Sequence, residues 1–382
     1  MPITMKLRPI VMYLGGFAKV GGIEAFARDF LLAIASDYPS RELVMWGRHG
    51  KDHRLLNEIA GSGARISASP WRWGCGWNLP DYVLVPAGLN AIRQAATVIF
   101  KRPPPRPILG FLRRSAQRNG RPIPFILIMP YRPLEYWGTS PDPAEYEYFD
   151  IIVVQSEDGV RDLKKMGYRG RIENIPYLPP KSLAPASFPS TSGDRIVRLG
   201  FLGRMVEQKN LDYLLEIYRV LTQEGNKQTH YELHLFGDGD ERKELERRSV
   251  DLGLSGVFFH GETPREEVIG VIDSCDLFLN TSTTEGQCLV ALEVLSRGRP
   301  LVATPVGALP EVLRQRELGR LAPLGKAEAF AALVVEVIAA IRSGQMTPDS
   351  VVTAFRARYD YDSILKSYLA LLTDVDSNEL GK

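Results

Sequence analysis

The sequence predicts an α/β fold with two Rossmann-like domains facing across a cleft, and three observations carry that expectation. Apolar, strand-like runs alternate with segments of helical period through the first half of the chain. The same alternation begins again after residue 195, and a Pro- and Ser-rich stretch with little to bury separates the two series. A chain of 382 residues is also too long for one ordinary core. The expected boundaries are residues 1–178 for the first domain, 179–194 for a linker and 195–350 for the second domain.

In the first domain, residues 8–16 (RPIVMYLGG) read as a buried strand, followed by a glycine turn and a helix on which Phe26, Phe30, Leu31 and Ile34 share a face. Further strands are expected at residues 42–47, 81–86, 124–129 and 150–155. Ser156 is a helix cap with Gly167 as the stop, and IENIPYL is the last strand before the linker. The second series runs from RIVRLGFLGR through YELHLFGDG and VFFHG, each followed by a helical segment. Residues 351–372 continue in helical period.

The densest chemistry lies in residues 276–311, DLFLNTSTTEGQCLVALEVLSRGRPLVATPVGALPE. LFLN reads as a buried strand and TSTTEGQ as a polar loop. Residues 288–295 read as a helix, because apolar residues dominate there without β-alternation. Gly298 stands at the helix C′ position, Pro300 follows, and LVAT is the next strand. Glu285 then lies at a strand's carboxyl end and Glu293 about two turns along the next helix. Free N–H groups of such a loop attract anions, while carboxylates accept hydrogen bonds from hydroxyls, so the stretch suits a sugar nucleotide. Taken singly, Glu285 is a loop charge and Glu293 a solvated helix position.

Upstream, GFLGRMVEQKN places Arg204 and Lys209 around a strand-to-helix turn. Together they suit a diphosphate, the arginine through paired hydrogen bonds and the lysine as a point charge; either alone reads as surface charge. Gly21 and Gly22 open the first helix, where missing side chains let a phosphate approach the backbone.

These residues resemble, in order, the motifs of family 4 glycosyltransferases. GGIE at 21–24 is similar to the family's Gly-Gly-x-Glu turn, and GRMVEQK at 203–209 to its diphosphate-binding arginine and lysine. EGQCLVALE at 285–293 with GRPLVATPVG at 298–307 resembles its E-x7-E signature and tail. The resemblance implies the GT-B architecture and transfer of a sugar, with retention of configuration, from a nucleoside-diphosphate sugar used as co-substrate. No metal and no cofactor is implied. Arg204, Lys209 and Glu285 are the implied catalytic residues. Gly22, Thr263, Gly286, Gln287, Cys288, Leu289 and Glu293 join them in donor binding, with Glu285 on sugar hydroxyls, Glu293 on the ribose and Thr263 near the base. Gly21, Glu24, Tyr131 and Arg132 fall on the acceptor side. The implied partner is a lipid-linked or glycan acceptor in surface polysaccharide or glycolipid assembly, and no nucleic acid is expected. A helix at about 355–374 is expected to cross back onto the first domain.

The chain also departs from that pattern. Many relatives carry a histidine after the strand matching PFILIM, where this chain has Met129, Pro130, Tyr131 and Arg132. The acceptor-activating group is therefore open: Tyr131, Arg132 or the departing phosphate. Asp238-Gly239-Asp240 has the D-x-D spacing of manganese-binding glycosyltransferases, yet it follows a strand where a turn needs small polar residues, and the turn is the preferred reading. His234 alternates within a strand and reads as structural. An epimerase or hydrolase of the same fold and a non-catalytic sugar-nucleotide-binding protein are the alternatives. An NAD-dependent oxidoreductase is disfavoured, because YLGGFAKVGG does not give G-x-G-x-x-G.

Three cysteines, Cys75, Cys275 and Cys288, have neither disulfide-framework nor zinc spacing, which suits a reducing compartment; Cys288 reads as a buried structural thiol. No run approaches the ~20 apolar residues of a membrane span, and the N-terminus does not read as a signal peptide. The net charge of +2 hides an asymmetry, with Lys+Arg exceeding Asp+Glu by 24 to 16 through residue 178 and falling behind by 23 to 29 afterwards. Residues 82–134 contain no acidic residue, and there Ile108, Leu109, Phe111 and Leu112 lie beside Arg113, Arg114 and Arg118. This amphipathic segment predicts that the first domain meets an anionic membrane surface from the cytoplasmic side. WRWGCGW at 71–77 is read equally as core filling or as an aromatic surface for sugar or membrane.

Overall fold

The computed structural model describes residues 8–17, 22–37, 42–49, 66–68, 85–101, 103–118, 120–129, 132–134, 143–181, 184–189, 196–223 and 229–380. The chain divides into two compact units, residues 1–178 with 362–382 and residues 179–361. Each unit is a Rossmann-like α/β layer built on a parallel sheet. The WRWGCGW segment, Cys75, Gly21 and Tyr131 lie outside the described residues.

In the first unit the order is β1 (Ile10–Phe17), α1 (Gly22–Asp37), β2 (Leu43–His49), β3 (Ile66–Ala68), α2 (Val85–Gln94), β4 (Thr97–Phe100) and α3 (Arg106–Ser115). A two-stranded antiparallel hairpin, β5 (Gln117–Arg118) with β6 (Arg121–Pro122), precedes β7 (Phe125–Ile128), α4 (Pro143–Tyr146), β8 (Ile151–Val154), α5 (Glu157–Lys165) and β9 (Arg171–Asn174). The main sheet has the order β3-β2-β1-β4-β7-β8-β9. Strands β4, β7 and β8 are buried at every residue, which their unbroken apolar runs TVIF, FILI and IIVV favour in a parallel sheet covered on both faces. Ser156 caps α5 by accepting from the Gly159 N–H at 3.1 Å.

Three expectations change here. Val85 and Pro86, expected at the end of a strand, begin α2; proline in a first helical turn gives up an N–H that has no partner inside the helix anyway. Residues 81–84 lie outside the described residues, and the next described strand is TVIF. The amphipathic segment is α3, but its Leu109 and Leu112 are buried in the first unit's own core. Arg113 donates to the Ile123 carbonyl at 2.9 Å, pairs with Asp150 at 2.6 Å and covers the Phe125 ring. Most of the apolar face expected at a membrane therefore packs inward, leaving Phe111, 42% exposed, and Arg114 outside. Finally, the terminal helix is two helices: α12 (Pro348–Arg356) belongs to the second unit and α13 (Tyr361–Leu380) largely to the first. The apolar period runs through the break, but its packing partners change. Phe355 and Tyr359 are buried residues of the second unit, whereas Tyr368 meets Phe30 and Phe26 and donates to the Ile175 carbonyl.

The second unit runs β10 (Ile196–Leu202), α6 (Leu211–Gln223), β11 (His230–Phe236), α7 (Arg242–Asp251), β12 (Val257–Gly261), α8 (Val268–Asp273), β13 (Leu277–Asn280), α9 (Leu289–Ser296), β14 (Leu301–Ala303), α10 (Leu309–Val312), β15 (Gly319–Leu321) and α11 (Ala327–Arg342), ending in α12. Its parallel order is β12-β11-β10-β13-β14-β15. The winding reverses at β10, which pairs with β11 on one side and β13 on the other. At such a switch point the connections from the two central strands lead on to opposite sides of the sheet, the usual position of a ligand in an open α/β sheet. The described part of the stretch expected to be a linker, residues 179–181 and 184–189, belongs to this unit as a strap. Arg297 donates to the Ala184 carbonyl, and the fully buried Arg299 donates to the carbonyls of Ala186 and Ser187 and lies over Phe188.

On one face of β11 and β12, His234, His260, Phe236 and Phe258 form a column of nearly parallel rings. Glu232 accepts from His234 Nε2 at 3.3 Å, which leaves His234 Nδ1 to accept from His260 Nε2 at 2.9 Å. Burial lowers both histidines below the ordinary imidazole value, His234 against the pull of Glu232 and His260 with the added effect of His234. The unfolded chain therefore binds more protons, so this stability is complete above about pH 6.5 and lost as pH falls through the folded values. The melting temperature should drop as pH falls below about 6.5, and less steeply in a His234→Gln/His260→Gln variant. Equal slopes by scanning calorimetry would contradict it.

Candidate active site

The site is assembled where the loops after β10 and β13 emerge. The first loop closes as a 3-10 turn over Glu207–Lys209, ended by Asn210 in the left-handed region at φ 50°. The second clasps it: the Thr283 N–H donates to the Gln208 carbonyl at 2.9 Å, and the Thr281 hydroxyl to the Lys209 carbonyl at 2.9 Å. In return, Gln208 Nε2 donates to the Thr284 carbonyl at 2.7 Å. The result is that Lys209 Nζ stands 2.5 Å from Glu285 Oε1, across 76 residues of sequence. Glu285 is buried, and Ser282 Oγ at 2.7 Å and Asn280 Nδ2 at 3.3 Å donate to the same oxygen.

The tail of the signature holds this loop from behind. Thr304 donates its hydroxyl to the Ser282 carbonyl at 2.6 Å, and the Ala308 N–H donates to the Gly286 carbonyl at 2.9 Å. Gly307 has φ 56°, and a Cβ there would stand 2.3 Å from the Glu285 carbonyl oxygen, so glycine is required for both conformation and space. The tail is thus the scaffold of Glu285, which gives the sequence pattern its physical reason.

Cys288 precedes α9 in the left-handed region at φ 58°, unusual for a residue with a side chain. Its Sγ accepts from Asn280 Nδ2 at 3.3 Å, and burial, with Glu285 beside it, pushes the thiol up to about 12. Gln287 is buried, Gly286 is half-buried, and half-buried Leu289 is the first residue of α9. Glu293, on the same helix, is paired with Arg265 from the turn after β12, and half-buried Thr263 lies two residues before that arginine. Arg204 is exposed and, among the described residues, has no ion-pair partner.

The D-x-D lookalike is a turn. The Met205 N–H donates to the Asp238 carbonyl at 2.8 Å, and Asp238 accepts on its side chain from the Gly239 N–H and from Arg242. A Cβ on Gly239 would stand 2.2 Å from the Met205 carbonyl oxygen. The turn therefore backs the loop that carries Arg204. Among the described residues no cluster of three or more His, Cys, Asp or Glu side chains is placed to hold a metal ion.

Not every expected site residue falls in this unit. Gly22 is the first residue of α1, and Glu24 lies in that helix, both in the first unit. Arg132, also there, is half-buried and paired with Asp162 at 3.0 Å and Asp158 at 3.7 Å. Sequence reasoning missed Asn280, Ser282 and Arg265. A signal existed for the first, a polar residue closing the otherwise apolar strand LFLN.

Residues 197–340, all within the second unit, match the family model described as Glycosyl transferases group 1. The amylovoran biosynthesis glycosyltransferase AmsK of Erwinia amylovora is 30% identical over 171 residues, 43% of this chain and 40% of that protein. The lipopolysaccharide core biosynthesis glycosyltransferase LpsE of Rhizobium meliloti (strain 1021) is 28% identical over 172 residues, 45% of this chain and 48% of that one. The matched regions thus span less than half of either relative. Two solved structures share the fold along nearly the whole chain. The lipopolysaccharide outer core galactosyltransferase WaaB in its apo form has a TM-score of 0.68 at 17% identity, covering 96% of this chain and 99% of its own. Anabaena Alr3699/HepE in complex with UDP-glucose has a TM-score of 0.72 at 18% identity, with the same coverage.

Burial also raises Cys275 to about 12. A thiol reacts as its thiolate, so neither described cysteine should label in the folded chain. Iodoacetamide at pH 8 should leave Cys275 and Cys288 unmodified until the chain is unfolded, as read by peptide mass spectrometry. Rapid native labelling of Cys288 would contradict its placement.

Proposed function

We propose that this chain is a retaining, metal-independent glycosyltransferase of family 4 with the GT-B architecture. It moves a sugar from a nucleoside-diphosphate sugar to a lipid-linked saccharide or glycan acceptor in surface polysaccharide or glycolipid biosynthesis. The observation that carries the reading is the Lys209–Glu285 pair, set at the carboxyl ends of β10 and β13 within a domain matching Glycosyl transferases group 1. The names of AmsK, LpsE and WaaB support the process, and the UDP-glucose bound by HepE supports the donor class.

In the proposed reaction the bond between the anomeric carbon and the β-phosphate oxygen breaks, and the acceptor oxygen bonds to that carbon on the same face. The acceptor proton passes to the departing phosphate. Negative charge grows on the diphosphate, where fixed positive groups lower the barrier most. Lys209 and the exposed Arg204 supply that charge, so the chemistry needs neither a cofactor nor a metal. Glu285 accepts from donor-sugar hydroxyls and does not act as a general acid. Glu293, released from or shared with Arg265, receives the ribose, with Thr263 near the base and the backbone from Gly286 to Leu289 along the sugar and phosphates.

A thermal-shift panel of UDP-glucose, UDP-N-acetylglucosamine, GDP-mannose, dTDP-glucose and CDP-glucose identifies the donor, since a ligand of the folded state raises the melting point. With that donor, Lys209→Ala and Glu285→Gln should each lower transfer by roughly 10²-fold or more while the protein stays folded. Activity should survive EDTA. Near-normal transfer by both variants contradicts the site, and loss in EDTA restored by manganese would move the diphosphate to Asp238 and Asp240.

The acceptor is proposed to reside at the cytoplasmic face of a membrane, reached through the basic first unit. Among the described residues no helix is long and apolar enough to cross a membrane. With Leu109, Leu112 and Arg113 committed to the core, the contact on α3 reduces to Phe111 and Arg114. Flotation with anionic liposomes at moderate salt should fall in a Phe111→Ser/Arg114→Glu variant; equal flotation of variant and wild type rules this contact out.

A further inference from the structure

Glu285 is held asymmetrically. Lys209 Nζ, Ser282 Oγ and Asn280 Nδ2 all donate to Oε1, at 2.5, 2.7 and 3.3 Å, while among the described residues no donor is placed on Oε2. A carboxylate offers about four acceptor positions over its two oxygens, so this crowding exhausts one oxygen and leaves the other open. The clamp is itself closed. Asn280 Oδ1 accepts from the Ser282 N–H at 3.1 Å, its Nδ2 bridges Glu285 Oε1 and Cys288 Sγ, and the Thr304 hydroxyl fixes the Ser282 carbonyl. Such a closed network leaves the Glu285 side chain one orientation.

We propose that Ser282 and Asn280 are positioning residues of the donor site, locking Glu285 through Oε1 so that Oε2 alone receives the hydroxyl of the transferred sugar. The inference rests on the glycosyltransferase reading and adds to it residues that the sequence motifs did not mark. Lys209 serves both halves of the donor, because an ammonium has three N–H groups and can keep one on Glu285 while turning others to the diphosphate. The clamp therefore couples the sugar to the leaving group through one cation. Its two neutral donors orient the carboxylate and add no charge.

Two substitutions remove the donors with little change of shape, Ser282→Ala and Asn280→Leu, the second replacing the amide by an apolar group of similar size that adds no charge. Ser282→Thr restores the hydroxyl. The panel member that most stabilises the wild type and its own free nucleoside diphosphate are titrated by calorimetry, and melting temperatures establish folding. Both substitutions should leave the affinity for the nucleoside diphosphate unchanged, reduce the extra affinity contributed by the sugar, and lower kcat at least 10-fold. Ser282→Thr should recover most of kcat. A merely structural role would weaken nucleotide and sugar nucleotide alike. Wild-type kcat and sugar increment in folded Ser282→Ala and Asn280→Leu overturn the proposal while the glycosyltransferase reading stands. A wild-type chain that binds no panel member and transfers no sugar overturns that reading and this inference together.

Discussion

The contact between Lys209 and Glu285 is the constraint around which the second unit is arranged. It depends on β10 and β13 being neighbours in the sheet, since only then do loops 76 residues apart leave the same edge together. The clasp of Gln208, Thr281, Thr283 and Thr284 keeps the loops in register, and the residues after β14 brace the second loop from behind. A buried carboxylate is tolerated only when its charge is compensated and its oxygen hydrogen-bonded, and Lys209, Ser282 and Asn280 supply both. The same arrangement leaves Arg204 exposed where the loop leaves β10.

Much of this was legible because the chemistry is local. The strand, loop and helix of residues 276–311 follow from an apolar run, a polar run and another apolar run without alternation, and the structure places them within one or two residues of the expected bounds. The small residues of Asp238-Gly239-Asp240 reflected the close approach of Met205, and the turn preferred for them is the one observed. The family motifs marked Glu285, Lys209 and Arg204. Nothing local marked Ser282, whose hydroxyl matters only because the loop curls back onto Glu285.

What failed to be read depends on distant partners. Leu109 and Leu112 have the spacing of a surface-seeking amphipathic helix, and spacing cannot tell a membrane from the protein's own core. The helical period through residues 351–372 conceals a change of unit at about residue 361. The Pro/Ser stretch has little to bury by itself, yet its backbone carbonyls are acceptors for Arg297 and Arg299 more than 100 residues later. Val85 and Pro86 favour an extended chain by composition, and the helix that begins there is set by the ten-residue segment as a whole.

The loop pair after β10 and β13 is the proposed donor site, and a crystal structure of the chain with its nucleoside-diphosphate sugar tests that directly. The diphosphate is expected on Arg204 and Lys209, the ribose on Glu293 and a sugar hydroxyl on Glu285 Oε2, with Oε1 still held by Ser282 and Asn280. A diphosphate held through a cation at Asp238 and Asp240, or a sugar bound away from Glu285, would contradict it.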